Sequence, residues 1–412
     1  MTSLKIKGIH VLTLDNESGA VARRWLDASR DDAILPPYHV GDDVLVRHID
    51  RAVRSVSNFL SGRQHINRVS RDEFCGIVYL ANDPSVKAYA ITVQDIHVVV
   101  VGIQWVFALV KICDRLSVPL SRRPRSGPPA PSRASTDVPP RDVELSALLS
   151  GDHEVSSAEA IRIAETWPSP MYIYTEDELG TWAVFYDLIR LVWFHELAHA
   201  LCGHIRFAKE TLGLMALYES KAEGQRSTAE VPDGLTSEIL QCLEMHADEF
   251  AVRSSVGEIL WGHDPAGLMI RLRVDLGDRL LHLNTAFCVF AVLWELDQRK
   301  RTRQAVAWTE RSHPPVDLRY DRFRNFQRQL CMGYDTSLLT VVDTLSLAFL
   351  PVLTQASPYF GDLARLTPLL FRTPSMDYVQ RYEQHLLRLE PAIAAGLKLH
   401  GFIPAEFLKA QE

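Results

Sequence analysis

The sequence predicts an α+β fold, a small sheet beside a mainly helical body, on three observations. β-branched, alternating runs cluster between Ile77 and Val101. Helical apolar periodicity dominates from Ser156 onward. Between these regions lies a segment rich in proline, serine and arginine that belongs to neither pattern. A chain of 412 residues with 47% hydrophobic content can fill a sizeable core, as one large or two smaller units. The expected division is an N-terminal helical or irregular region (1–75), a central unit (76–335) interrupted at about 121–142, and a C-terminal helical extension (336–412).

Each element follows from its local pattern. Met1 to Arg24 alternates apolar and charged residues without an unbroken apolar stretch, so no signal peptide is expected. Strands are expected at Ile77–Leu80, Ala90–Val93 and His97–Val101, with turns at Asp83-Pro84 and Gln94-Asp95. His97–Val101 is the candidate exposed edge, able to hold an extended peptide through main-chain hydrogen bonds. Ser121 to Asp142 carries Arg122, Arg123, Arg125, Arg133 and Arg141 among prolines and serines, and reads as a solvated surface insert. Helices are expected at Ser156–Trp167, Val184–Arg206, Ser237–Val256 and Leu272–Gln298, followed by two near the C-terminus. The run Val98 to Cys113 contains Gln104 and Lys111, and the later run to Leu353 is broken by Asp343 and Pro351. Both are therefore core elements, and no integral membrane segment is expected.

Composition narrows the function classes. A net charge of -7, from 44 basic and 51 acidic residues, offers no general attraction to phosphate backbones, so nucleic acid is not an expected partner. Six cysteines, Cys75, Cys113, Cys202, Cys242, Cys288 and Cys331, are scattered with no CxxC pair. That usage fits reduced thiols and a cytoplasmic location.

The chemistry concentrates at Phe194-His195-Glu196-Leu197-Ala198-His199, an HExxH box. Four-residue spacing puts both imidazoles on one side of a helix, with Glu196 beside them. The preceding residues, Trp182 to Phe194, are apolar nearly all round, as in a buried helix. A buried carboxylate and two buried histidines need compensation, and one divalent cation supplies it. The pattern predicts one zinc ion per chain, held by three protein ligands with a fourth position left for water. Three residues are candidates for the third ligand. His204 lies about 140° around a continuing helix from His199. Glu244 lies on a second helix, on one face with Ala247, Asp248 and Ala251, and His246 points the other way. Glu244 is preferred as the ligand, and Asp248 as an acceptor that orients His195 or His199 through its other ring nitrogen. In this reading zinc acidifies water, and Glu196 accepts the proton as the water attacks a peptide carbonyl, then passes it to the leaving amine.

These segments resemble the gluzincin peptidases that include the CAAX prenyl-protein endopeptidases and the HtpX-like proteases. The HExxH helix is followed by a Glu-x-x-x-Asp helix at Glu244 and Asp248, then by His-Pro-Pro-x-x-x-Arg at His313, Pro314, Pro315 and Arg319. Upstream, Ile77-Val78-Tyr79-Leu80, Asp83 to Ala90 and Ile96 to Gly102 look like that family's strand pair around an Asn-Ala-Phe-Ala motif, with Lys87 in place of the asparagine. The resemblance implies a zincin-like catalytic domain over 76–335, a peptide or protein substrate, and His313 or Arg319 as donor to the developing oxyanion. By position, Arg319 also suits an ion pair with a buried acid. Glu244 to Ala251 is also similar to the Glu-x-x-Ala-Asn-x-Phe-Ala helix of ImmA/IrrE-type regulatory peptidases, with Asp248 at the asparagine. That likeness implies cleavage of one specific partner. A non-catalytic protein that keeps zinc for its interactions is the remaining alternative.

Overall fold

Four consecutive valines, Val98 to Val101, are buried to within 1%, a run without alternation that marks a strand covered on both faces. They lie at the centre of a five-stranded sheet. The computed structural model describes residues 6–12, 44–62, 74–82, 88–93, 96–121, 144, 147–148, 154–167, 176–212, 217–218, 235–260, 276–301, 313–340, 342–343 and isolated positions between 380 and 397. The elements are β1 (Ile6–Leu12), α1 (Val44–Gly62), β2 (Phe74–Ala81), β3 (Ala88–Val93), β4 (Ile96–Gly102), α2 (Ile103–Ser121), α3 (Ser157–Glu165), α4 (Glu176–Leu201), α5 (His204–Leu212), β5 (Leu217–Tyr218), α6 (Leu235–Leu260), α7 (Leu276–Arg301) and α8 (Val316–Tyr334). The α+β expectation is borne out.

Strand order is β1-β2-β4-β3-β5. β2 pairs with β4 in parallel, Val78 opposite Val99, and β3 pairs with β4 antiparallel, Ala90 opposite Val99. The expectation that His97–Val101 is an exposed edge is therefore corrected: β4 is paired on both sides. β1 is a second correction, since it places a strand, parallel to β2, in the region read as helical or irregular. β4 runs directly into α2, so the apolar stretch from Val98 to Cys113 is half strand and half helix. Its Lys111 reaches Glu159 of α3 at 3.1 Å. No helix among the described residues is long and apolar enough to cross a membrane. Lys87, the two expected turns, residues 122–142 of the insert and most of 344–412, where the C-terminal helices are expected, lie outside the described residues; the isolated described positions between 380 and 397 are helical.

α4 is the central helix. From Trp182 to Leu201 every residue is buried, because α1, α2, α6, α7 and the β3–β4 side of the sheet all pack on it. A helix apolar all round needs such enclosure. α1 is tied to it by His48, whose Nδ1 accepts from the Trp182 indole at 3.0 Å while Trp167 meets the same ring edge-on. α3 starts at Ser156, whose hydroxyl accepts the Glu159 amide and caps the first turn. α8 begins after Pro315 and packs on α6 and α7.

Candidate metal centre

His195 and His199 stand one turn apart on α4 and bring their Nε2 atoms to 3.2 Å. Glu244, from α6, places Oε2 at 3.1 Å from His195 Nε2 and Oε1 at 3.6 Å from His199 Nε2. Atoms bound tetrahedrally to zinc at ordinary bond lengths sit about 3.3 Å apart, so the three groups are spaced as zinc ligands. Glu196, between the two histidines in sequence, has no exposure. Among the described residues, this trio can hold a metal ion.

The supporting groups are equally specific. His195 turns its other nitrogen, Nδ1, to Asp248 Oδ1 at 3.0 Å, and Asp248 accepts two hydrogen bonds of 2.6 Å from Arg319 Nε and Nη2. The Arg319 guanidinium also lies 5.0 Å over the Phe290 ring, which meets His195 edge-on. His313 brings Nε2 to 3.5 Å from Glu244 Oε2. Of the two residues nominated as oxyanion donors, His313 thus borders the trio, whereas Arg319 grips Asp248.

Electrostatics favour a cation here. Burial pushes the Glu244 carboxyl up, but His313, His199 and His195 more than offset it, leaving it well below the carboxylate range. Asp248 is likewise lowered, with Arg319 and His195 outweighing burial. Burial is the main force that lowers His199 to about 3, so its imidazole is neutral at pH 7. Glu244 and Asp248 are thus held as buried carboxylates, Asp248 gripped by Arg319 and Glu244 set among imidazoles. A buried carboxylate whose described partners are imidazoles is a favourable place for a divalent ion.

Beside this trio stands a second cluster that sequence reasoning missed. α4 does not continue to Arg206. It ends at Leu201, and Gly203, at φ 81°, turns the chain into α5. A glycine just past a helix is the usual signal for such a stop. The turn sets His204 Nδ1 at 3.0 Å from His199 Nδ1 and His204 Nε2 at 2.7 Å from His246 Nδ1. His246, expected to point away from Glu244, is therefore engaged by His204. Cys202 completes a group whose ligand atoms all lie within 4.8 Å of one another. Burial, then the charge of Glu249, pushes the Cys202 thiol up to about 12. The chain matches no family model, no curated protein and no solved structure.

Proposed function

We propose that the chain is a zinc-dependent endopeptidase of the gluzincin type, with His195, His199 and Glu244 as metal ligands and Glu196 as general base. The observation that carries this reading is the convergence of two Nε2 atoms and a carboxylate at ligand spacing, with a second acid one residue along the same helix. A bound zinc ion would supply Lewis-acid activation of water and of the scissile carbonyl. Glu196 takes the proton of the attacking water and returns it to the leaving amine. His313, beside Glu244, donates to the oxygen that becomes negative. Arg319 works at one remove: it fixes Asp248, which holds His195 Nδ1 and so aims Nε2.

Two structural facts refine the proposal. β4 is interior, so the strand for an extended peptide becomes β3, where β5 pairs only with Tyr89 and Ala90 among the described residues. His195, Glu196 and His199 are shut off from solvent, so admission of a polypeptide requires a covering element to move.

Glu196→Gln tests the chemistry. It should lower peptide hydrolysis by about 10²-fold or more while keeping one zinc per chain. Full activity in that variant would refute the role of Glu196, and loss of zinc would make Glu196 a ligand. His313→Ala should lower kcat by about 10²-fold with little change in KM or zinc content. A fall in melting temperature with kcat intact would make His313 structural.

A further inference from the structure

We propose that Cys202, His204 and His246 form a second metal site, for a thiophilic divalent ion, whose filling opposes filling of the His195–His199–Glu244 site. The opposition rests on the reading of that trio as a metal centre; the second site itself does not. Its donors come from two places: the turn at Gly203 presents Cys202 and His204 together, and α6 presents His246 across from them. One sulfur and two imidazoles make a softer donor set than the oxygen-containing trio, and suit zinc and its thiophilic neighbours. Three protein donors leave a position for solvent. Cys202 and His204 are buried, but His246 is partly exposed, which gives an ion a way in.

The opposition follows from counting protons along the histidine chain. With His199 Nε2 on a metal, its Nδ1 carries hydrogen and donates across 3.0 Å to His204 Nδ1. His204 then carries its hydrogen on Nε2 and donates across 2.7 Å to His246 Nδ1. Both contacts are satisfied in that one direction only. To bind an ion through Nε2, His204 must carry its hydrogen on Nδ1, where it faces the Nδ1 hydrogen of His199. Two donors then share one contact and a buried hydrogen bond is lost. Cys202 ligates as thiolate and releases its proton to solvent. The 2.7 Å contact must also open to about 3.3 Å, which His246 at the rim can allow. Coupling of this kind is reciprocal, so each ion weakens the other, by roughly 10-fold if it is of ordinary size.

Cobalt titration of the metal-free full chain tests this directly, because a cobalt–thiolate bond has its own near-ultraviolet charge-transfer absorption and the trio contains no sulfur. The first equivalent should bind without that absorption. Further cobalt should produce it and speed release of the first ion, and with zinc should inhibit hydrolysis. Cys202→Ser should abolish the absorption and the inhibition while retaining the first equivalent, and His246→Ala, at the rim, should do the same. Glu244→Ala should lose the first equivalent yet keep the thiolate absorption, which separates failure of the trio from failure of this site. Absence of thiolate absorption at every ratio would overturn the second site. A second ion that leaves the release rate of the first unchanged would overturn the opposition.

Discussion

α4 carries two buried charged assemblies about two turns apart, and they are built on opposite plans. In the first, Asp187 and Arg190 meet Arg279 of α7 and Glu258 of α6: Arg279 Nη2 donates to Asp187 at 2.6 Å, its Nη1 to the other oxygen, and Arg190 pairs with Glu258. Two acids face two guanidiniums, and the charges cancel. In the second, Asp248 is gripped by Arg319, whereas Glu244 meets the imidazoles of His195, His199 and His313. The same helix, with α6 and α7 against it, thus closes one charge set with guanidiniums and sets the Glu244 carboxylate of the other among imidazoles. A balanced set is a structural joint. An unbalanced one, with imidazoles where the first has guanidiniums, suits a cation.

The largest expected effect breaks the balanced set. Asp187→Ala removes the carboxylate that takes both Arg279 Nη atoms and should destabilise the chain by about 3–5 kcal/mol in denaturant titrations, with zinc content per folded chain unchanged. Loss of zinc as well would mean that the two assemblies are not independent. A neutral joint on the same helix gives the next effect. Burial, aided by Arg51, lowers His48 from its ordinary 6.5 to about 4, so the unfolded chain binds this proton first. Stability is full above pH 6.5 and falls as pH drops toward 4, by about 3 kcal/mol from this residue. His48→Gln should remove that share of the acid sensitivity, read as the difference between denaturation midpoints at pH 7.5 and 4.5. Unchanged sensitivity would assign it to other buried histidines. The third effect lies in the unbalanced set. Arg319→Ala frees Asp248 and should weaken zinc binding about 10- to 100-fold, lowering stability as well. Wild-type zinc affinity in that variant would remove Arg319 from the support of the site.

The second assembly was largely legible in the sequence because its members repeat at helix spacing. His195 and His199 are four apart, as are Glu244 and Asp248, and spacing alone places each pair on one face. The first assembly was not. Arg279 is 92 residues from Asp187, and no local pattern joins them. His246 was read as facing away from Glu244, but the His204 it meets on α5 takes its place only once Gly203 breaks the helix. The position of β4 shows a different limit: strand runs are local, whereas strand order depends on long-range pairing. Its four valines in a row did carry a sign of two-sided burial.

Metal titration of three proteins tests the central claim most directly: the wild-type chain, Glu244→Ala and His246→Ala. The convergence of His195, His199 and Glu244 predicts one tightly held zinc in the wild type, lost in Glu244→Ala and kept in His246→Ala. A wild-type chain that binds no zinc tightly, or a greater loss in His246→Ala than in Glu244→Ala, would contradict it.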